Sequence, residues 1–346
     1  MAKKISIEDI AQSLGVSKTL VSLVLNDKAD KHGISEETQK RVRQKVRELN
    51  YKPNMLARGF RTGKTNTIGL IVSDISNRFY SRMARNLEDL AWSHGYTVVV
   101  CSTEEKIEKE KEQIRLLRDR KLDGLIISSS QDSPEFFEKL LEENVAHVLI
   151  DRTFENLRSA SVSVDNFGGA RLAARHLLQQ GFRKIALIAI TPGHISTISD
   201  RSRGFQEALL EGGISIPKEW LILAPFKDIE TSIKERIQNL YQAGNLPEAI
   251  FTLNNNLTAE CLNNLRKLSV EVPKQVALIG FDDVSYFRLT YPSVSVIAQP
   301  IERISETAFD LLMRQIEGSP IPATENSIKL PVEIIIRESS VRPKNA

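Results

Sequence analysis

Short apolar segments alternate with longer amphipathic segments from Ile68 almost to the end of the chain. Apolar segments of this kind are typical of strands buried on both faces of a parallel sheet, and the segments between them have helical periodicity. The predicted strands form two series, at residues 67–72, 97–101, 124–128, 146–150 and 161–164, and at residues 184–190, 220–223, 249–253, 276–280 and 294–298. The predicted helices lie at residues 79–94, 107–120, 133–143, 168–180, 202–212, 229–243, 257–268 and 301–318. The pattern predicts an α/β fold with two doubly wound parallel sheets, in which ligands bind beyond the carboxyl ends of the strands.

The N-terminal region lacks this alternation and predicts two short helices around a tight turn. Ser6 and Asp9 have the spacing of a reciprocal N-terminal cap. Gly15 can adopt the left-handed conformation that a sharp turn needs, and Ser17 then caps a second helix. This is the pattern of a helix-turn-helix, whose second helix fits a DNA major groove. An ordinary pair of small helices packed on a core has the same pattern, so both interpretations stay open on these residues alone.

A third helix begins at Ser35 and completes a three-helix head. Its acidic residues lie in the first turn and its basic residues follow, which is the order that the helix dipole favours. Pro53 can start a further short helix, which Gly59 weakens and Gly63 ends, so this segment is predicted to be a hinge that orders only when something holds it.

These patterns predict three domains. They are a helix-turn-helix head at 1–50, a hinge helix and linker at 51–66, and a core at 67–346 whose cleft suits a small ligand. Two lobes are predicted in the core, one from residues 67–166 with 298–325 and the other from 167–297 with 326–342.

The charge of the chain is unevenly distributed. Residues 1–66 contain 14 Lys and Arg against seven Asp and Glu, a net charge of +7, so the rest carries −4 of the total of +3. A basic head on a mildly acidic body suits a polyanionic partner for the head.

Membrane and metal functions find no support in the composition. No apolar run approaches the roughly 20 residues of a membrane span, and the first residues lack the apolar core of a signal peptide, so we expect a cytoplasmic protein. Cys101 and Cys261 lie far apart in sequence and in apolar surroundings, which favours buried reduced thiols over a disulfide or a metal site. The five histidines show no ligand spacing, so neither a metal nor a cofactor is predicted.

Taken in order, several motifs resemble the lactose and galactose repressor family of bacterial transcription regulators. They are the head, the hinge sequence from Tyr51 to Asn54 with Ala57 and Arg58, the strand that begins at Thr67, and the Gly280-Phe-Asp-Asp turn. The resemblance implies a homodimer that binds double-stranded operator DNA with a near-palindromic sequence. It also implies a core similar to periplasmic sugar-binding proteins, with a small effector in the cleft.

The resemblance further implies which residues contact DNA. They are Ser17, Lys18, Thr19, Ser22, Leu23, Asn26, Asn54, Ala57, Arg58 and Phe60. Lys and Thr can reach base edges at the start of the recognition helix, whereas serine hydroxyls suit phosphates. Leu20 and Leu23 depart from the family, and either side chain can also serve only to pack the head. Phe60 stands where the family inserts a leucine between central base pairs, and either residue can act as a wedge that kinks the duplex.

The effector site is predicted in the same way. Its residues are Phe79, Tyr80, Asp151, Arg152, Asp165, Arg201, Phe226, Asn254 and Asp282. Aromatic faces can stack on a sugar ring, while carboxylates and guanidinium groups pair with its hydroxyls. Alternatives stay open for single residues, since Asp165 also suits a helix cap. Asn254-Asn255-Asn256 stands where the family commonly has Asn-Asp, so a sugar, a sugar phosphate, a nucleoside or a purine can all be considered.

Two other classes of protein fit the sequence less well. An enzyme is disfavoured because no nucleophile elbow, phosphate-binding glycine motif or paired catalytic carboxylate is visible. A solute-binding protein for transport, or a cytoplasmic binding protein with no DNA target, suits the core but does not explain the head. Repression is the family default, and the sequence leaves open whether the effector is an inducer or a corepressor.

Overall fold

A computed structural model describes residues 5–51, 64–154 and 156–343 of the chain. The chain divides into two compact units, Met1–Thr65 and Asn66–Ala346. In the described ranges, no helix combines the length and the apolar character that a bilayer span requires.

The described part of the N-terminal unit contains the α-helices α1 (Ile7–Leu14), α2 (Lys18–Leu25) and α3 (Glu36–Glu48). The predicted reciprocal cap is present, because the Asp9 amide donates to Ser6 Oγ (3.2 Å) and the Ser6 amide donates to Asp9 Oδ2 (2.8 Å). Gly15 ends α1 with a φ of 65°, in the left-handed region that glycine adopts at little cost.

Apolar residues of all three helices form the core of this unit. Ile10, Val21, Val24 and Val42 are almost fully buried. Their spacing places one apolar face of each helix inward, so the helices can only bury these faces against each other. The helix-turn-helix head is therefore confirmed.

The second unit contains two sheets with helices on their faces. The elements of the first sheet's lobe are β1 (Thr67–Val72), α4 (Arg78–Ser93), β2 (Thr97–Ser102), α5 (Ile107–Asp119), β3 (Gly124–Ile127), α6 (Glu135–Glu142), β4 (His147–Ile150), β5 (Ala160–Val164), α11 (Ile301–Glu317) and β11 (Ser327–Leu330). The elements of the second lobe are α7 (Asn166–Gln179), β6 (Ile185–Thr191), α8 (Ser196–Glu211), β7 (Leu221–Pro225), α9 (Ile229–Gln242), β8 (Ala249–Thr252), α10 (Asn255–Lys267), β9 (Ala277–Phe281), β10 (Ser295–Ala298) and β12 (Glu333–Ile335).

Both sheets have the same strand order. The first runs β11-β5-β4-β3-β1-β2 and the second runs β12-β10-β9-β8-β6-β7. All neighbouring strands in these two sheets are parallel except β12, which is antiparallel to β10. The predicted α/β class with two doubly wound, largely parallel sheets is confirmed, and the repeated order places the carboxyl ends of equivalent strands in equivalent positions.

The predicted division of the C-terminal segment between the lobes was wrong for β11. We assigned residues 326–342 to the second lobe, and β12 does join the second sheet, but β11 pairs in parallel with β5 of the first. The segment Ser-Ile-Lys-Leu of β11 is short and half polar, so its sequence gives little strand signal. Edge strands of this kind are specified by the partner that they pair with, which the sequence does not show.

Three helices in the second lobe begin earlier than predicted. α8 starts at Ser196 rather than at residue 202, α7 starts at Asn166 rather than at 168, and α10 starts at Asn255 rather than at 257. The first turn of α8 contains serine and threonine, which have modest helix propensity, yet Thr197 and Ile198 are buried. Tertiary packing, and not propensity, forms this first turn.

Candidate functional site

The first candidate site is the exposed side of α2. Ser17 caps this helix by accepting a hydrogen bond from the Leu20 amide at 3.1 Å. Lys18 and Thr19 follow in the first turn and are exposed. Lys18 Nζ lies 2.6 Å from Glu8 Oε1, and both side chains are more than half exposed. A solvent-exposed ion pair of this kind is weak, so Lys18 can exchange Glu8 for another anionic or polar partner.

Other predicted DNA-contact residues have separate surroundings. Asn26 Nδ2 donates to the carbonyl oxygen of Ser22 at 2.6 Å, so this amide closes the end of α2. Leu20 packs against the core of the head, whereas Leu23 is only half-buried and lies outside that cluster. The remaining predicted contacts, Asn54, Ala57, Arg58 and Phe60, lie outside the described residues.

The second candidate site is a partly open cavity at the carboxyl ends of the strands of both sheets. Eight of the nine predicted effector residues line it, namely Phe79, Tyr80, Asp151, Arg152, Arg201, Phe226, Asn254 and Asp282. Asp165 is not among its lining residues. Instead Asp165 caps α7, with Oδ1 accepting a hydrogen bond from the Gly168 amide at 2.9 Å.

Two aspartates occupy equivalent places in the two lobes. Asp151 directly follows β4 and Asp282 directly follows β9, and both have a positive φ, of 64° and 76°. The amide of each donates to the neighbouring strand, Asp151 to Val162 O (2.9 Å) and Asp282 to Ile297 O (2.8 Å). This hydrogen bond holds each residue in a left-handed conformation that is uncommon outside glycine, and so fixes the direction of its side chain.

An aromatic pair borders the first aspartate. Phe79 and Tyr80 pack edge to face with ring centroids 5.0 Å apart. The Tyr80 hydroxyl donates to Asp151 Oδ2 at 3.0 Å and also contacts Ser128 Oγ at 2.9 Å. Burial raises the pKa of Tyr80 well above its usual value, so the hydroxyl stays protonated and acts as a hydrogen-bond donor.

Arg152 forms a bidentate ion pair with Glu105, a cavity residue that the sequence did not single out. Its Nη1 and Nη2 donate to the two carboxylate oxygens at 2.7 and 2.5 Å, and Nη1 also donates to Ser129 O at 2.9 Å. Burial opposes the charge on Arg152, but the nearby anionic groups outweigh burial and raise its pKa. Arg152 is therefore permanently positively charged, and the Glu105 carboxylate already pairs with that charge.

Arg201 and Asp282 form the polar wall of the second lobe. Arg201 donates from Nε to Asn166 Oδ1 (2.8 Å) and from Nη1 to Leu253 O (2.7 Å), and its guanidinium carbon lies 3.6 Å from the centroid of the Phe281 ring. Asp282 Oδ1 accepts a hydrogen bond from Gln299 Nε2 at 2.6 Å. Burial raises the pKa of Asp282, and the negative charge of Asp151 adds to this while Arg201 opposes it.

Two hydrogen bonds among the described residues connect the lobes beside the cavity. Asn255 Nδ2 donates to Asn77 Oδ1 at 3.0 Å, and the Thr153 amide donates to Ser196 Oγ at 3.1 Å. Asn255 is fully buried at the start of α10. A carboxylate at position 255 could not donate to Asn77, so the amide allows this contact between the lobes.

The lining of the cavity can bind a ring that has an apolar face and several hydroxyl groups. Aromatic rings provide contact area, and carboxylates accept hydrogen bonds from hydroxyls with more strength than neutral oxygens do.

Known proteins resemble the whole chain. Residues 6–54 match the lacI family of bacterial regulatory proteins, and residues 174–340 match the periplasmic binding protein-like domain. The transcriptional regulator RegA of Clostridium saccharobutylicum is 32% identical over 97% of this chain and 99% of its own length. This chain belongs to the LacI family. The ribose operon repressor of Halalkalibacterium halodurans is also 32% identical, over 99% of this chain and 98% of its own length.

Solved structures agree with this LacI-family assignment. A lac repressor dimer bound to operator and the anti-inducer ONPF has a TM-score of 0.85 over 98% of this chain and 100% of its own, and at 22% identity it shows the shared fold. A periplasmic binding protein/LacI regulator of Alkaliphilus metalliredigens, complexed with D-xylulofuranose, is 30% identical over 79% of this chain and 98% of its own, with a TM-score of 0.68.

As a member of the LacI family, the chain is a DNA-binding transcriptional regulator with a small-molecule-binding core. Several residues of the cavity were missed by sequence reasoning: Ser73, Asn77, Glu105, Ile190, Thr197, Ile198, Leu253, Asn256 and Gln299. Some had a usable signal, because Gln299 follows β10 closely, as Asp282 follows β9. Glu105 had none, since it is one acidic residue among many in its segment.

Proposed function

We propose that this LacI-family regulator is a homodimeric repressor of a near-palindromic operator, and that a sugar or sugar derivative in the cavity controls its affinity for DNA. The observation that carries the effector half of the proposal is that eight predicted residues line one cavity. Aromatic rings, carboxylates and guanidinium groups come from both lobes, so a bound ligand would contact both.

The DNA half rests on α2. Lys18 and Thr19 are exposed at its start, where recognition-helix side chains reach base edges, and lysine can donate to guanine O6 and N7. Ser17 and Ser22 are assigned to phosphates, and Leu23 to a thymine methyl group or to no readout at its base pair. Leu20 packs into the head and has no assigned contact. Asn26 closes the helix and is assigned to the phosphate backbone.

The hinge residues are assigned to the DNA interface because their sequence resembles that of the family. Asn54, Ala57 and Arg58 are assigned to the minor groove, and Phe60 to a central base step. An inserted apolar side chain partly unstacks such a step at a cost of a few kcal/mol, which wider protein contact offsets.

The effector is assigned to the monosaccharide size range. Phe79, Tyr80 and Phe226 can cover the faces of one sugar ring, while Asp151 and Asp282 can each accept hydrogen bonds from hydroxyls. The names of two relatives support this class, since one is a ribose operon repressor and the other was solved with D-xylulofuranose.

Control of DNA binding follows from contact with both lobes. A ligand that binds groups of both lobes at once favours the arrangement in which they are close, in addition to the two hydrogen bonds that already join them. A ligand shifts such an equilibrium only by its difference in affinity for the two arrangements. Whether this releases or promotes operator binding is decided by the experiment below.

An electrophoretic mobility shift assay with random-sequence selection tests the proposal. We expect a near-palindromic site whose affinity falls steeply with salt, and a response to at least one member of a panel of sugars and sugar phosphates. Lys18→Ala is expected to weaken the selected site about tenfold, whereas Lys28→Ala, an exposed lysine beyond α2, serves as the matched control. A monomer that binds no oligonucleotide at low ionic strength, with or without the panel, contradicts the proposal.

A further inference from the structure

Glu105 lies in an unusual backbone segment after β2. Glu104 and Glu105 have positive φ values of 56° and 55°, two successive non-glycine residues in the left-handed region. The side chains of Glu104 and Glu105 point in different directions. Glu104 is half-exposed and contacts Lys106 and Lys109, both at 2.7 Å, whereas the Glu105 side chain is 8% exposed and lines the cavity. Backbone strain of this kind persists only where the surroundings fix it.

The buried loop after β3 helps to fix Glu105 and its partner. Ser130 Oγ donates to Glu105 Oε2 at 3.2 Å, and Ser129 O accepts from Arg152. Glu110 holds this loop, because its carboxylate accepts from Ser129 Oγ (2.9 Å) and from the Ser130 amide (2.5 Å). The ion pair of Glu105 and Arg152 is thus held by buried groups on both partners.

Most of the donor capacity of Arg152 is already used. Of the five N–H groups of a guanidinium, two bind Glu105 and one binds Ser129 O. Nε has no hydrogen-bond partner among the described residues and lies 3.8 Å from Asp151 Oδ2. Glu105 occupies the Nη1/Nη2 edge of Arg152, one of the two edges at which a guanidinium can bind a carboxylate or phosphate through parallel N–H groups. The other edge retains Nε and one N–H of Nη2, but Nε lies close to the Asp151 carboxylate, so a second anion there would be repelled whereas a hydroxyl oxygen would not.

The other charges around the cavity also disfavour an anionic ligand. The lining residues include three carboxylates, of Glu105, Asp151 and Asp282, and two guanidinium groups, with no lysine or histidine among the lining residues that the structure describes. Arg201 is directed to Asn166 Oδ1, Leu253 O and the Phe281 ring, so it too is engaged. An anion entering this site would meet more like charge than opposite charge at close range.

Helix N-termini at the cavity are a further feature that would favour an anion. The side chains of Asn77 and Asn254, both lining residues, already accept hydrogen bonds from first-turn amides there. Phe79 N donates to Asn77 Oδ1 at 3.0 Å, and Leu257 N donates to Asn254 Oδ1 at 2.9 Å. These neutral caps reduce the number of amides left for a ligand oxygen.

We propose that Glu105 determines the charge specificity of the cavity: by occupying Arg152, it makes the site select an uncharged polyhydroxylated ligand and exclude phosphorylated or carboxylated ones. This inference rests on the proposed effector function and narrows it. Tyr80, Asp151 and Asp282 bind hydroxyl groups in either case, and Glu105 decides whether Arg152 can receive an anion.

Isothermal titration of the full-length protein tests this with defined probes: D-ribose, D-xylulose, their 5-phosphates and inorganic phosphate. For the wild type, we expect binding of an uncharged sugar and about 100-fold weaker binding of its phosphate ester. Glu105→Gln keeps the shape but removes one negative charge, so we expect the ratio to fall to about tenfold or less. Glu104→Gln, the neighbouring change outside the cavity, is expected to keep the wild-type ratio.

Folding of Glu105→Gln is checked by circular dichroism, since the change leaves Arg152 as a buried cation without its carboxylate. Arg152→Gln combined with Glu105→Gln removes both charges and is expected to show no gain in phosphate-ester binding. Because the wild-type ratio needs no variant, it tests the inference even if Glu105→Gln does not fold.

A wild type that binds a phosphate ester or inorganic phosphate as tightly as the sugar overturns the inference, and so does a folded Glu105→Gln variant with an unchanged ratio. Either result leaves the proposed regulator intact if the same samples shift operator DNA. Conversely, if the protein prefers the uncharged sugar but the sugar does not change its binding to operator DNA, only the proposed function is contradicted.

Discussion

Single residues in the cavity combine ligand chemistry with a cost in stability. Asp282 is buried, carries a positive φ and shares its surroundings with Asp151, so its charged form is disfavoured despite Arg201 and Gln299. A neutral side chain at position 282 would give a more stable fold than the carboxylate. The carboxylate is explained by its use, since an ionised oxygen binds a hydroxyl group more strongly than an amide does.

Asp282→Asn therefore has opposite effects on stability and binding. A carboxyl group whose pKa is raised by folding contributes stability below its unfolded pKa and loses this contribution as the pH rises through its folded pKa. Because the pKa of Asp282 is raised, we expect the variant to melt a few degrees above the ligand-free wild type at about pH 8, with the gain shrinking toward pH 4. Thermal unfolding across this pH range measures it.

The same variant is expected to bind sugar at least about tenfold more weakly, by titration calorimetry. Asp119→Asn, an exposed change at the end of α5, should alter neither quantity. A variant that is less stable than the wild type at pH 8 would contradict the assigned cost of the charge.

At the scale of elements, close approach of backbones and paired side chains position the helices. Gly204 in α8 faces the carbonyl oxygen of Phe167 in α7, and a Cβ at this glycine would lie 2.3 Å from that oxygen. The two helices therefore approach at a point where a larger residue cannot fit without displacing backbone. Across the cavity, Asn255 and Asn77 join one helix start to another.

Gly204→Ala is expected to lower the free energy of unfolding by about 2 kcal/mol, because α7 and α8 must move apart to admit the methyl group. Chemical denaturation measures the change. Gly193→Ala is the control, since a Cβ there meets no atom within 4 Å. Equal effects of the two changes would show that close packing at Gly204 is not the cause.

Asn255→Asp is expected to weaken sugar binding about tenfold without contacting the sugar, since its carboxylate cannot donate to Asn77 Oδ1 and lies near Asp282. Small-angle scattering should show a larger radius of gyration for the sugar-saturated variant than for the sugar-saturated wild type. Asn263→Asp, on the exposed side of α10, controls for the added charge. If the scattering and the affinity are unchanged, the hydrogen bond from Asn255 to Asn77 does not contribute to closure of the lobes.

For the whole molecule, two compact units carry two different kinds of chemistry. The head presents exposed polar side chains on α2, and the core encloses charged and aromatic groups between two sheets of the same topology. Repetition of that topology explains why both lobes offer an aspartate at an equivalent strand end. A regulator needs both units, because the ligand site must be connected to a DNA site on the same chain.

Phe60→Ala tests the proposed DNA deformation at this scale. If Phe60 is a wedge at a central base step, its removal should reduce operator bending and weaken operator binding about tenfold or more. A circular-permutation gel measures the bend. Trp92→Ala removes an aromatic side chain that is 82% exposed on α4 and serves as the control. An unchanged bend would show that Phe60 does not intercalate.

Much of the fold could be predicted from local patterns. The apolar strands, the helices between them, the capping of Ser6 and Asp9, and the turn at Gly15 depend on residues close in sequence, and all appear in the structure. Strand-end residues such as Asp151 and Asp282 were also predicted at the site, because parallel strands bring their carboxyl ends to one edge.

Tertiary structure alone decided the features that join distant residues. β11 lies in the first sheet because β5 offers it an edge, and Glu105 turns inward to an arginine 47 residues away, whereas Glu104 beside it turns to solvent. Asn255 pairs with Asn77 across 178 residues. Local sequence determines propensity and periodicity, but the partner of a buried polar group or an edge strand depends on which surfaces the completed fold brings together.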